Sequence, residues 1–433
     1  MKRDQLKKEV CEAIDNRKDE LISFAADIRR NPELGFKEHR TARQVKNKFE
    51  ELKLEYVEGR AITGLKAKFG EGPVNIAVIG ELDAVICASH PMAVGNAAHA
   101  CGHDAQLAAM LGVGVGLIES RVIRSLNGVV TLFATPAEEG VEYDYRRRLV
   151  DEGKLEFMAG KQELIRLGDF DDVDMAMMCH SEGTVAGKTI WPKSSTNASI
   201  SKKVRYVGKP SHYTAAPWEG VNALNAALLG LQAVNALRET FKDEDYVRFT
   251  PIMIKGGESE NAVPSDAQIN SYVKASTMEA AIDANKKVNR ALISGSNAIG
   301  THIEIDDFCN FMPLEYNESL VQVFSNNASQ FMDVRKELYK TAGSTDMGDV
   351  SMIMPAIHPF VGGSVGGIHR ETYKHVDEET AFIIPSKIMA MTIVDLLYDN
   401  ARLGIKIALE KRRRMPKEEY LKTLRCLKRK INK

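Results

Sequence analysis

Apolar positions recur at helical spacing through residues 4–29 and 39–53, set among charges and separated by the turn Asn31-Pro32-Glu33-Leu34-Gly35. That pattern predicts two surface helices. The character then changes. Residues 74–80 (Val-Asn-Ile-Ala-Val-Ile-Gly) and 128–134 (Gly-Val-Val-Thr-Leu-Phe-Ala) are short β-branched runs, and 105–120 between them is an Ala/Leu/Gly-rich stretch suited to a helix buried on several faces. Strand, helix, strand at this spacing is a βαβ unit, which predicts an α/β domain with a mostly parallel sheet covered by helices.

A second pattern begins at 198. An alternating run at 198–208 is followed by a helical stretch at 220–240, strands near 248–256 and 266–274, a helix at 278–298 and the strand His302-Ile303-Glu304-Ile305. The order β-α-β-β-α-β predicts a ferredoxin-like α+β domain, a four-stranded sheet with two helices on one face. Residues 1–197 are therefore assigned to a first domain, 198–306 to a domain inserted into it, and 307–433 to the first domain's second part, with helices at 317–332 and 385–400. The chain ends in a basic helix or tail: residues 401–433 hold thirteen Lys and Arg against three Glu. A solvated terminal helix is the simpler account of that charge than a patch for an acidic partner.

Composition narrows the function classes. The 433 residues carry 58 Lys and Arg against 59 Asp and Glu, a formal net charge of −1, which argues against a generally basic nucleic-acid binder and an acidic disordered chain. Two stretches lack charged side chains, 220–237 and 350–369, but the first carries Asn and Gln and the second is rich in Gly and Pro, so no membrane span is expected. The first twenty residues contain no apolar run, so a signal peptide is not expected and the cytoplasm is the anticipated setting. Six irregularly spaced cysteines argue against a disulfide framework.

Candidate chemistry gathers at predicted strand ends. His99-Ala100-Cys101-Gly102-His103-Asp104 follows Gly80-Glu81-Leu82-Asp83-Ala84, which closes the strand at 74–80. A thiolate and an imidazole at this separation can bind a transition metal, and a nearby Asp can set a histidine tautomer. Pro136-Ala137-Glu138-Glu139-Gly140 follows the strand at 128–134, where one Glu can ligate and its neighbour accept a proton from water. His180 and His369 end segments able to return to the same sheet edge. Each cluster alone is compatible with an ordinary loop or core; it is their coincidence at the strand ends of one sheet that points to chemistry. Five donors (Cys101, His103, Glu139, His180 and His369) exceed what one tetrahedral ion needs, and a pair of metals sharing a ligand accounts for the surplus.

The motifs RRNPELGF at 29–36 with Thr41, HACGHDA at 99–105, PAEEG at 136–140, GKPSHYTAAPWEGVNAL at 208–224 and NAVP at 261–264 together resemble the amidohydrolase branch of the dinuclear metallopeptidases. The resemblance runs in order over nearly the whole chain. It implies that Cys101, His103, Glu139, His180 and His369 hold two divalent ions, Mn2+ or Zn2+, with Cys101 as the bridge, Glu138 as general base and Asp83 in a supporting role. It further implies that the inserted domain is a lid and dimerisation domain whose His212 meets the developing oxyanion with help from Asn261, and that Ser344 and Thr345 in the run 343–351 shape the pocket. The expected reaction is hydrolysis of an amide in an N-acyl or N-aroyl amino acid or short dipeptide by a homodimer, with neither nucleic acid nor membrane as partner. An inactive binding relative, and a thiol hydrolase using Cys101 with His103, are the competing readings.

Departures from the pattern mark what the fold must resolve. Gln106 stands where a histidine is usual, and Trp218 replaces the histidine of AAPH. Forty residues separate Glu139 from His180, a longer interval than usual that includes the charged stretch from Tyr143 to Arg148. Cys179 competes with His180 as a donor, and His375 with His369.

Overall fold

The computed structural model describes residues 2–433, which fall into two compact units. The first comprises the chain up to Ser195, Glu315–Lys340 and Asp349–Pro416; the second comprises Thr196–Leu314, Thr341–Gly348 and Lys417–Lys433.

In the first unit, the expected N-terminal helix is two, α1 (Arg3–Asn16) and α2 (Lys18–Arg30), broken where Arg17 leaves helical geometry at φ −110°, ψ 10°. With α3 (His39–Glu51) they bury one apolar stripe each, for example Leu6, Val10 and Ile14 of α1 and Val45 and Phe49 of α3. The central sheet contains β1 (Glu55–Arg60), β2 (Gly64–Glu71), β3 (Asn75–Glu81), β4 (Gly128–Thr135), β5 (Met175–Met177) and the short strand Ala356–Ile357, in the order β1-β2-β4-β3-β5 and Ala356–Ile357. Strands β4, β3, β5 and Ala356–Ile357 run parallel, while β2 pairs antiparallel with both β1 and β4. Every residue of β3 is buried, so it reads as a continuous apolar run, as a strand covered on both faces must.

Between β3 and β4 the chain crosses through α4 (His103–Glu119), which is buried almost throughout and packs against β3 and the helix Ile384–Ala408. The helical stretch Glu379–Arg413 is long and apolar enough to cross a membrane, yet 94% of its apolar window is buried within the protein. It is a core element. The long interval after Glu139 folds into α5 (Tyr143–Asp151) and α6 (Gly160–Leu167).

The second unit holds β6 (Ala198–Val207), α7 (Ala223–Asn235), β7 (Arg248–Lys255), β8 (Asp266–Ala275), α8 (Met278–Ile299), β9 (His302–Phe311) and β10 (Arg429–Asn432). Asn222 and Thr277 cap α7 and α8 by accepting the N–H groups of Asn225 and Ala280. Burial alternates residue by residue along β8 and β9, giving one face to the core of Val204, Ile269, Leu292 and Ile305. Lys202 is fully buried and is answered by Asp307 and Asn289, while Asn285 and Asn289 donate to the second Asp307 oxygen at 2.8 and 2.7 Å.

One expectation is corrected here. The sheet has five strands, in the order β7-β8-β6-β9-β10, because the basic terminus adds a strand to β9, with Ile431 opposite Ile305. Residues 417–433 thus belong to the second unit instead of ending the first. An open sheet edge offers unpaired N–H and C=O groups, and backbone pairing satisfies them whatever the side chains.

Candidate metal centre

Because β4, β3 and β5 are parallel, their carboxyl ends lie along one edge, and open α/β sheets place ligands there. Glu81 ends β3 and Asp83 follows it; Glu138 and Glu139 follow β4; His180 follows β5. Cys101 and His103 flank Gly102 at the start of α4, where Gly102 takes φ +83° and a Cβ would sit 2.4 Å from Tyr373 Oη and 2.6 Å from Ser181 Oγ. Only glycine meets both demands. The distant His369 is drawn in by its own backbone, whose N–H donates to Ala100 O at 2.7 Å.

Cys101 Sγ lies 3.4 Å from His180 Nε2 and 3.3 Å from His369 Nε2. Two donor triads share that sulfur, Cys101/His103/His180 and Cys101/Glu139/His369, and in each the ligand atoms lie within 4.8 Å of one another. A third triad joins Glu81, His103 and Glu138 at the same spacing. The five expected donors are therefore gathered in one place, with four of them buried and His369 exposed.

Neighbouring atoms orient these side chains. Nδ1 of His103 donates to Asp83 O at 2.7 Å and Nδ1 of His180 to Ser181 O at 2.7 Å, so both imidazoles turn Nε2 inward. The Asp83 carboxylate accepts the Glu139 N–H at 2.9 Å, so this one residue orients two donors. Asp104 is paired with Arg29 at 2.7 Å and His375 at 3.4 Å, and His375 also meets Ser364 at 2.8 Å. His375 is thereby occupied away from the sulfur. Cys179 lies in the main apolar core, where burial pushes its thiol up.

The electrostatics are those of a site that favours positive charge. Burial and Glu139 raise the Cys101 thiol, but His369, His180 and His103 outweigh them and bring it from 9.0 to about 6. Burial likewise opposes ionisation of Glu139, yet His369 and His103 hold it at about 2; Glu139 and Cys101 in turn push His369 up to about 12. His103 Nε2, Glu81 Oε2 and Glu139 Oε1 are buried ligand-type atoms without an aligned hydrogen bond, although His103 lies 2.9 Å from Glu81 and His369 3.0 Å from Glu139. Soft thiolate, imidazole and carboxylate donors with lone pairs converging in this way fit divalent transition ions.

Two residues escaped the sequence reading. Glu81 stands two positions before Asp83, on the same side of an extended chain, and that alternation was the available signal. Lys161, fully buried on α6, meets Glu81 Oε1 at 2.6 Å, and only the fold brings it there. Gln106 uses its side-chain oxygen to accept the Glu81 N–H at 3.2 Å.

The other expected residues lie in the second unit. His212 is exposed, accepts the Ala215 N–H on Nδ1 at 3.2 Å, and neighbours Asn261 through the Tyr213 N–H to Asn261 O bond of 2.9 Å. Trp218 is 78% exposed on a short 3-10 turn. Ser344 and Thr345 belong to the segment 341–348, where Thr345 Oγ1 accepts the Met347 N–H at 3.2 Å.

Comparison with known proteins extends this picture. The sequence profile of Peptidase family M20/M25/M40 matches residues 77–394. Xaa-Arg dipeptidase of Mus musculus is 28% identical over 433 aligned positions, covering 92% of this chain and 90% of the relative. One of the p-aminobenzoyl-glutamate hydrolase polypeptides of Escherichia coli is 27% identical over 280, covering 62% of this chain and 53% of the relative. Among solved structures, a dinuclear metal binding peptidase of Bacillus subtilis superposes with a TM-score of 0.66 at 20% identity, covering 89% of this chain and 99% of that one. At that identity the likeness speaks for the fold.

Proposed function

The chain belongs to Peptidase family M20/M25/M40 and is a hydrolase of amide bonds, and from that premise we propose that it cleaves an N-acyl or N-aroyl amino acid or a short dipeptide at a site of two divalent ions. The observation that carries the reading is the single sulfur of Cys101 common to two donor triads. Cys101, His103 and His180 would hold one ion, and Cys101, Glu139 and His369 the other. Mn2+ and Zn2+ both suit these donors. Bound there, the ions would supply Lewis acidity toward a carbonyl and lower the pKa of water.

The residues of the chain do the rest. Glu138, beside the ligand Glu139 and within the triad of Glu81 and His103, takes the proton of the attacking water and returns it to the leaving amine. Asp83 holds His103 and Glu139 in ligating orientation. In the second unit, His212 accepts on Nδ1 and so carries its proton on Nε2, the state needed to donate to an oxyanion, with Asn261 beside it. Ser344 and Thr345 are assigned to substrate contact. The same reading makes the protein a cytoplasmic homodimer joined through the second unit, whose exposed Leu228, Leu229, Ile252 and Ile254 provide apolar surface.

A hydrolysis screen tests it. Aminobenzoyl-glutamate, acyl amino acids and Xaa-Arg dipeptides are offered with Mn2+ or Zn2+, before and after chelation, and released amino acid is measured. Hydrolysis abolished by chelator and restored by metal is expected. Hydrolysis indifferent to chelator would favour a thiol nucleophile at Cys101, and none at all would favour a binding protein.

A further inference from the structure

The interval after Glu139 leaves the sheet edge and returns to the place it left, since the Gly160 N–H donates to Ala137 O at 3.3 Å. Gly160 is pressed so close to Pro136 that a Cβ would stand 1.7 Å from its carbonyl oxygen. Within this excursion, α5 carries Arg146, 4% exposed despite its charge. A buried guanidinium needs several acceptors. Arg146 Nη1 donates to Ala137 O at 3.1 Å and Met158 O at 2.8 Å, Nη2 donates to Glu139 O, and the guanidinium lies 5.4 Å from the Phe36 ring centroid.

Two of those three carbonyls flank Glu138. The turn they belong to is strained, for Ala137 takes φ +54°, the left-handed region that a non-glycine residue enters at a cost of about 1–2 kcal/mol. Its N–H is held as well, donating to Glu38 Oε1 at 2.8 Å. Glu38 is fully buried and also accepts from Thr63 Oγ1 at 2.6 Å. The Ala137 peptide groups are thus gripped from both sides, by Glu38 at the N–H and by Arg146 at the carbonyl. Opposite, Gly35 leaves room for the guanidinium: a Cβ there would lie 2.4 Å from Arg146 Nη2 and 3.0 Å from Ala137 Cα.

We infer that Arg146 is a positioning residue, a clamp supplied by α5 that fixes the Glu138–Glu139 turn in its strained working geometry. The inference rests on the proposed roles of Glu138 as base and Glu139 as ligand. Arg146 touches no reacting atom, so its loss acts through the turn.

The test uses Arg146→Met, which keeps the unbranched stem and removes the fork, in the full chain. Amide hydrogen exchange is followed across 136–141 in chelated protein, Zn2+ and Mn2+ affinities are measured by calorimetry, and kcat and KM are measured on the substrate found in the screen. Expected are faster exchange at 136–141 with the remaining core unchanged, metal affinity or kcat lowered about 10–100-fold, and KM changed less than about threefold. Unchanged exchange together with unchanged metal affinity overturns the clamp. Where Arg146→Met does not fold, Arg146→Lys keeps the buried charge but not the fork that reaches both Ala137 O and Glu139 O, and is expected to move the same readouts. Should the unsubstituted protein cleave none of the amides, the hydrolase reading fails, while exchange and metal affinity still decide the clamp.

Discussion

The Cys101 thiol in metal-free protein is expected to titrate three pH units below an ordinary cysteine. His369 Nε2 at 3.3 Å and His180 Nε2 at 3.4 Å face its sulfur. At such separations and an effective dielectric of about 20, each imidazolium favours the thiolate by about 5 kcal/mol. Burial and the Glu139 carboxylate oppose this and remove more than half, and the balance takes the thiol from 9.0 to about 6. Three pH units correspond to about 4 kcal/mol between thiol and thiolate. Near pH 7.5 the sulfur is then about 97% ionised, against about 3% for an unperturbed group. The assay is the ultraviolet thiolate band of chelated protein minus that of Cys101→Ser, followed from about pH 4.5 to 10, so that the other five cysteines cancel. A midpoint near 6 is expected, and added Zn2+ should abolish the titration because a coordinating thiol is deprotonated outright. A midpoint at or above 8.5 would refute the placement of the imidazoles about the sulfur.

Two further outcomes follow from the same geometry. Glu138→Gln should keep the fold and the metal content while kcat falls about 10²–10⁴-fold, the usual worth of a general acid-base; full turnover would remove Glu138 from that role. Lys161→Met leaves Glu81 buried without the cation at its Oε1 and with His103 at its other oxygen, so thermal or denaturant unfolding should show a loss near the lower end of about 3–5 kcal/mol. A change below about 1 kcal/mol would mean that the Lys161 charge does not stabilise Glu81 in the folded protein.

Much of the candidate site was legible because its donor side chains come in short local motifs. Cys101 and His103 flank a glycine, Glu138 and Glu139 are adjacent, and both groups follow β-branched runs whose parallel pairing could be expected from the helix between them. The preference for His180 over Cys179, and for His369 over His375, left a competitor beside each, because each pair differs by a rotation or a few residues in a loop. In the fold His180 and His369 stand 3.4 and 3.3 Å from the Cys101 sulfur, His369 held there by its backbone bond to Ala100.

The chain's periodicity alone determined the βαβ core and the second α+β unit, since burying an apolar stripe or an alternating face is a local requirement that each segment states for itself. Tertiary structure decided what no local pattern encodes: that a basic terminus completes the second unit's sheet at β9, that Lys161 answers Glu81, and that Arg146 grips the turn bearing Glu138. Those contacts satisfy backbone groups and buried charges left over once the core has formed. Their partners are chosen by proximity in space, and separation along the chain carries no record of it.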